Sequence, residues 1–441
     1  MSREMKRILT MGVAAAALVC GISSAQAGAF ALREQSADAM GQAFAGVASG
    51  SGSLSSMFWN PATITDIAGW QSSWSATGVL ANSKTTALPG TSPLFLPLGN
   101  SGNIAQSAIL PASYSSYQVN DQLWLALSVN SPFGLVTKNN QPWAGGIYGQ
   151  TSKVISTDIT PTVGYKVNDW FSVAAGLQIE YFKTRLTSLR PPAGPSYIEL
   201  KGSDWGFGYT LGATFKPTST TEIGIGYRSR VTESLTGTLK NFPGGLPAVV
   251  AIKSKLTLPD VVTVGITQKV NDKLSLSGGF EWTNWSLFNT FPVVVTGGPA
   301  AGVTPTRLGF RYRNGWFASV GGAYKWNDQL TLKTGLAYER SPISDTTRGV
   351  RLTDNDRIWA SIGAGYKVSD KLSFDFSYAH IFVKKSPITI ANAANPAWNA
   401  AVPLPFVGSN KTSIDLISVG LNYRWDDPRV AVPVVPIVRK Y

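Results

Sequence analysis

A short phrase recurs along the chain and constrains its fold more than any other feature. An aromatic or small residue is followed by Lys or Gln, a hydrophobic residue and a polar pair, and an alternating stretch comes next. It reads Tyr117-Gln118-Val119-Asn120-Asp121, Tyr165-Lys166-Val167-Asn168-Asp169, Gln268-Lys269-Val270-Asn271-Asp272, Tyr324-Lys325-Trp326-Asn327-Asp328 and Tyr366-Lys367-Val368-Ser369-Asp370. A divergent copy, Phe215-Lys216-Pro217-Thr218-Ser219, falls between the second and third. Asn-Asp and Ser-Asp pairs tolerate the left-handed backbone of tight hairpin turns, and the Tyr or Trp beside them suits a membrane-interface girdle. Successive turns lie about 42 to 56 residues apart, room for two spans of roughly 9–11 residues and a longer loop at the far end. With both termini on the turn side, six turns make seven hairpins, so the expected count is fourteen strands.

The residues after each turn alternate as barrel strands do. After Asp272, Leu274, Leu276, Phe280 and Trp282 share one parity and Ser275, Ser277, Gly279 and Glu281 the other. After Asp328, Leu330, Leu332, Leu336 and Tyr338 oppose Thr331, Lys333, Gly335 and Glu339. A water-soluble sandwich alternates in the same way. Composition favours the barrel: 14% charged residues, 44 Gly, 14 Trp and a mean hydropathy of +0.03 suit strands with one oily and one polar face.

The start of the chain points to export. Arg3, Lys6 and Arg7 precede an apolar run from Ile8 to Cys20, then Ala25-Gln26-Ala27, the three-part pattern of a secretory signal. Cleavage is expected after Ala27, in preference to lipidation at Cys20, which Val19 precedes. Losing the three basic residues and one acidic residue before Gly28 lowers the net charge from +13 to +11 and removes the one cysteine. No later apolar run reaches the roughly 18 residues of a helical span, and a closed barrel crosses a membrane without one. The expected organisation is a signal over 1–27, an N-terminal segment over 28–68, a barrel over 69–425 and a Pro-rich periplasmic tail over 426–441. The last strand reads Ile417 to Trp425.

Residues 28–68 do not read as strand. Glu34 to Ala45 suits a short helix with Met40 and Phe44 one turn apart, Gly46 to Ser56 is small and flexible, and Pro61 blocks regular pairing. A compact segment of this length fits inside a barrel as a stopper. Gly28-Ala29-Phe30-Ala31-Leu32-Arg33-Glu34-Gln35-Ser36, then Met40-Gly41-Gln42-Ala43-Phe44-Ala45-Gly46 and Asn60-Pro61-Ala62, resembles the N-terminal hatch of the FadL family of outer-membrane long-chain fatty-acid and hydrophobic-compound transport porins. Three further stretches are similar to that family, in order. They are Asn130-Ser131-Pro132-Phe133-Gly134-Leu135-Val136-Thr137, Leu256-Thr257-Leu258-Pro259-Asp260 with Gly265, and Asp356-Arg357-Ile358-Trp359 leading to Tyr378-Ala379-His380.

The resemblance implies an all-β fold, a 14-stranded antiparallel transmembrane barrel with an N-terminal hatch plugging the lumen, in the outer membrane of a Gram-negative bacterium. It implies passive uptake of long-chain fatty acids or similar hydrophobic molecules: capture by extracellular loops, a lumen site gated by the hatch, and lateral exit into the bilayer. Aromatic hydrocarbons are the alternative cargo. Asn60, Pro61, Ala62, Pro132, Phe133 and Gly134 would form hatch and gate. Pro132 cannot donate to a sheet ladder and Gly134 weakens the same strand, so the third strand is expected to kink there, by a plain bulge or as the opening. Lys183, Arg185 and Arg313 match positions where the family places ligand-facing basic residues, and Phe30 matches the aromatic that lies against ligand. The tail departs from the family, whose members commonly stop near the last strand's aromatic.

The residues alone also exclude several readings. Lumen parity is expected for Glu180, Arg228, Arg230, Glu281, Lys333, Glu339, Arg357 and Asp375, mostly as mutual ion pairs. A bound carboxylate needs at least one further cation. The positive charge suits contact with outer-membrane lipid and lipopolysaccharide, and no basic run forms a nucleic-acid docking element. One histidine, His380, gives poor material for catalysis, and no Cys/His cluster or Gly-rich phosphate loop indicates a metal or cofactor. No enzyme is expected, and the oligomeric expectation is a monomer. A general porin for small polar solutes is the rival transporter, and a structural or adhesive barrel the rival of another class.

Overall fold

A computed structural model describes residues 28–50, 52–139, 141–190, 197–242, 247–398 and 403–426; the expected leader and the tail beyond Asp426 lie outside the described residues. All six polar phrases turn the chain, but by side-chain capping. The Asn120, Asn168, Asn271 and Asn327 carboxamide oxygens each accept from the two amides two and three residues ahead, at 2.8–3.1 Å. Ser369 and Thr218 do the same with hydroxyls. None of the six has a positive φ, so the expected left-handed backbone is not what makes these turns. The Lys of the phrase also has a purpose: Lys166, Lys325 and Lys367 reach the Asp three residues on, at 2.6–2.9 Å.

Between the turns run β1 (Trp70–Ala87), β2 (Ala108–Gln118), β3 (Leu123–Asn130), β4 (Gly134–Lys138), β5 (Thr151–Asn168), β6 (Phe171–Leu189) and β7 (Tyr197–Thr218). There follow β8 (Thr221–Arg228), β9 (Val231–Lys240), β10 (Val249–Leu258), β11 (Val261–Lys269), β12 (Leu274–Thr283), β13 (Thr290–Val295) and β14 (Thr306–Gly309). The chain ends in β15 (Gly315–Lys325), β16 (Leu330–Arg340), β17 (Arg357–Lys367), β18 (Leu372–Val383), β19 (Ser386–Ile390) and β20 (Phe406–Arg424). Several are halves of one span: β3 with β4, β8 with β9, β10 with β11, and β18 with β19, while β13 and β14 form a hairpin on the loop side. Fourteen antiparallel spans result, and β20 pairs back onto β1 from Gln71↔Arg424 to Ala87↔Gly408 to close the barrel. That last strand begins well before Ile417. Its upper part is polar on both faces, with Asn410 and Thr412 hydrogen-bonded to Ser83 and Thr85 inside, so hydrophobic alternation could not mark it.

The outward face is apolar. Phe207 and Val320 are each 65% exposed, an exposure that a continuous belt tolerates against lipid and not against water. Rings mark its edge near the turns, where Trp70 lies 5.4 Å from Trp425 and Phe171 4.8 Å from Phe215.

The segment from Gly28 to Ala68 packs against lumen-facing positions of the wall. Its helix is shorter than expected, Ala37–Met40 with Ser36 capping the Ala39 amide. Ala43 and Phe44 at φ 49° and 59° and Gly46 at 70° bend the chain away. Pro61 opens a 3-10 turn, Pro61–Asp66, capped by Asn60. The segment's backbone lies directly on wall glycines: a Cβ on Gly224 would sit 1.7 Å from the Ala48 carbonyl oxygen, and one on Gly226 1.8 Å from that of Trp59.

Candidate functional site

The third span is interrupted between Asn130 and Gly134. Asn130 pairs with Asp158 and Gly134 with Ile155 on β5, so three residues, 131–133, oppose two, the geometry of a bulge where Pro132 has no amide to donate. The start of the N-terminal segment fills the interruption from inside. The Leu32 amide donates to the Pro132 carbonyl and the Gly134 amide to the Phe30 carbonyl, both at 2.8 Å, making an antiparallel bridge between Ala31 and Phe133.

Phe30, buried, enters an aromatic cluster. Its ring lies 5.7 Å from Phe133, 4.9 Å from Trp285 and 5.1 Å from Phe288. Phe288 in turn touches Phe310 at 4.6 Å and stacks on Tyr312 at 5.5 Å. The rings divide two cavities. The inner one, about 70 Å³, is lined by Leu32, Trp59, Pro132, Phe133, Trp285 and other residues. The outer one, about 680 Å³, is lined by Leu186, Leu200, Phe242, Phe310, Tyr312, Leu352 and Trp398 among others. The outer cavity falls within the roughly 300–1,000 Å³ of small-molecule pockets and the inner one falls well short, so a ligand passing inward must displace the ring partition or the segment beneath it.

Charges separate the cavities further. Six of the eight residues expected on lumen parity are buried within the barrel and Lys333 is partly buried there; Arg230 is not, its side chain being 53% exposed, because the break between β8 and β9 shifts the alternation. Inside, Arg33 pairs with Glu281 at 2.7 Å, Arg228 with Asp158, Arg357 with Asp354, and Lys333 with Asp38 and Asp375. Of the arginines lining the inner cavity, Arg33 and Arg228 are thus engaged and Arg340 is on the exposed side of β16. The groups left over are acids: Glu34 and Glu233 have both carboxyl oxygens buried without a hydrogen-bond partner among the described residues, and Glu180 has one.

The basic residues expected to face ligand are elsewhere. Lys183 and Arg185 share the outward parity of Leu177 and Tyr181 on β6, and Arg185 pairs with Glu199 at 2.7 Å on the outer surface. Alternation alone places residues 177, 179, 181, 183 and 185 on one face. Arg313 donates from Nε to the Ser341 carbonyl at 3.2 Å, lies 4.0 Å from Asp356, and lines neither cavity. His380 also faces outward, 2.7 Å from Asp415.

Of the two arginines lining the outer cavity, Arg307 is exposed and Arg351, in the loop between β16 and β17, is half-buried. Its Nη1 donates to the Thr151 and Thr187 carbonyls at 3.0 and 2.9 Å and to the Ser152 hydroxyl at 3.3 Å. No acidic side chain pairs with it among the described residues, and burial draws its guanidinium down to about 10. Nothing in its local sequence marks it, because its partners are some two hundred residues away.

A family model described as outer membrane protein transport protein (OMPP1/FadL/TodX) matches residues 18–425. The chain is 27% identical to the 47 kDa outer membrane protein of Pasteurella multocida, over 96% of this chain and 100% of that protein. It is 25% identical to the long-chain fatty acid transport protein of Escherichia coli K12, over 86% of this chain and 93% of that one. Among solved structures it is similar to a Pseudomonas aeruginosa FadL homologue, with a TM-score of 0.81, 24% identity and coverage of 90% and 100%. It is also similar to the Ralstonia pickettii toluene transporter TbuX, with a TM-score of 0.60, 17% identity and coverage of 85% and 94%.

Proposed function

The chain belongs to the OMPP1/FadL/TodX family of outer membrane transport proteins, and from that premise we propose that it carries long-chain fatty acids or similar hydrophobic molecules passively across the outer membrane. The observation that carries this reading is the line of apolar sites down the barrel. An outer cavity is separated by Phe288 and its neighbours from an inner one, which ends at the strand interruption occupied by Phe30 to Leu32. A hydrophobic molecule settles in the outer cavity, where Arg351 receives a carboxylate if it has one. It then passes the aromatic partition into the lumen. Withdrawal of the N-terminal segment, acting as a hatch, frees the bulge at Ser131–Phe133, and the molecule leaves sideways into the bilayer without crossing the polar layer outside.

Uptake of uncharged aromatic hydrocarbons is the second reading, supported by the lining of the inner cavity, where Arg33 and Arg228 are already paired and Glu180 keeps a carboxyl oxygen without a hydrogen-bond partner among the described residues, which opposes an anion there. Relatives carry both kinds of cargo by name, a long-chain fatty acid transport protein and a toluene transporter. The test is uptake of a labelled long-chain fatty acid and of labelled toluene by cells that depend on this protein, with conductance of the purified protein in planar bilayers. Uptake of either with little steady conductance is the expected result. A large ungated conductance without hydrophobic uptake would mean a general porin.

A further inference from the structure

Above the aromatic edge of the lipid belt, the outer wall over β5 to β10 carries a dense group of cations. The registers place Lys153 opposite Arg185, and Arg185 opposite Lys201, in one row across β5, β6 and β7. In the next row toward the membrane, Lys183 faces Ser203, Ser203 faces Thr236, and Thr236 faces Lys253. Neighbouring strands lie about 4.8 Å apart and like-facing residues about 6.8 Å apart along a strand, so five cations share a small area. Glu199 offsets two, binding Arg185 at 2.7 Å and Lys201 at 2.8 Å. Lys153, Lys183 and Lys253 have no acidic partner among the described residues. Like charges so close destabilise one another unless an anion lies against them.

The height of the group says what that anion is. One row below Lys183 on the same face, Tyr181 and Trp205 have their rings 5.1 Å apart, and below them the face is apolar at Ile179 and Phe207. Tyr and Trp mark the boundary between hydrocarbon and headgroup, so the cations stand at headgroup level with acyl chains beside the apolar rows beneath. We propose that this face of the barrel is a docking site for a phosphorylated glycolipid of the outer leaflet, whose phosphates bind Lys153, Lys183 and Lys253 while its acyl chains lie along Ile179 and Phe207. A headgroup with more than one phosphate suits three unpaired lysines spread over strands from β5 to β10 better than a single phosphodiester does. The inference rests on the orientation with long loops outward and is independent of the cargo.

The test is binding of purified lipid A, its enzymatically dephosphorylated form and phosphatidylglycerol to the full-length protein in non-ionic detergent, read by native mass spectrometry. The triple variant Lys153→Gln/Lys183→Gln/Lys253→Gln is compared with Lys84→Gln/Lys411→Gln, an exposed cross-strand pair on the far side of the barrel. At about fivefold per surface lysine, the triple variant should lose about a hundredfold in affinity for lipid A, and the control pair little. Dephosphorylated lipid A should bind the native protein weakly, and hydrophobic cargo should bind the triple variant normally. Unchanged lipid A binding in the triple variant, an equal loss in the control pair, or equal affinity for dephosphorylated lipid A or phosphatidylglycerol would overturn the proposal.

Discussion

The Leu32 amide donates to the Pro132 carbonyl at 2.8 Å, tying the N-terminal segment to the chain at the interruption of the wall's third span. With the Gly134 to Phe30 bond it makes Ala31 and Phe133 a non-hydrogen-bonded antiparallel pair, whose Cα atoms lie about 4.5 Å apart, within reach of a disulfide. The contacts that fill the interruption are therefore also those that hold the start of the segment.

Ala31→Cys/Phe133→Cys locks that closure, and the chain after Ala27 contains no other cysteine to interfere. Under oxidising conditions the variant should lose uptake of hydrophobic cargo, and reductant should restore it to the level of the Phe133→Cys single variant. Uptake that is the same oxidised and reduced, with the disulfide confirmed by mass spectrometry, would remove the hatch from the route.

In the proposed route Arg351, lining the outer cavity without an acidic partner among the described residues, is the group that would distinguish a carboxylate from its alcohol. A hydrogen bond to a charged group contributes about 1.5–3 kcal/mol, so Arg351→Gln should weaken binding of a long-chain fatty acid roughly ten- to a hundredfold by calorimetry. The matching alcohol should bind nearly as before. Arg185→Gln should leave both unchanged, since that side chain is on the outer face with Glu199. Equal losses for acid and alcohol in Arg351→Gln would mean that the arginine only holds its loop to Thr151 and Thr187.

The turns separate two physical explanations. Were Asn327 there for a left-handed backbone, glycine would replace it without cost. Its carboxamide instead accepts the Gln329 and Leu330 amides at 2.9 and 2.8 Å, so Asn327→Gly and Asn327→Ala should both destabilise the barrel, by about 1 kcal/mol. Urea unfolding in lipid bilayers measures it; glycine at native stability alongside a destabilised alanine variant would restore the left-handed explanation.

The barrel was legible because its turns and its alternation are local: a capping side chain acts over three residues, and inside and outside alternate every second one. The same rule, carried two and four residues past Tyr181, puts Lys183 and Arg185 outside, whereas family resemblance placed them facing ligand. Alternation fails where spans break, as at Arg230, and where both faces are polar, as in the upper half of β20. The segment inside the barrel follows neither period, since Ala43 and Phe44 adopt positive φ that their residue types do not announce. Arg351 meets its partners only through tertiary structure, and so does Phe288 meet Phe30, Phe310 and Tyr312.

The close contact of the segment with wall glycines makes plugging testable without touching cargo. At Gly224 and Gly226 an added Cβ would fall within 2 Å of the Ala48 and Trp59 carbonyl oxygens, distances that no rotamer relieves because the atoms met are backbone. The strands themselves need no glycine there, as neither residue has a positive φ, so alanine suits the barrel and strains only the segment. Gly224→Ala/Gly226→Ala should therefore keep the β-sheet circular dichroism signal while steady conductance rises in planar bilayers. Gly78→Ala, whose Cβ would meet nothing nearer than 3.6 Å, should conduct as the native protein does. A folded double variant with native conductance would mean that the segment does not seal the lumen.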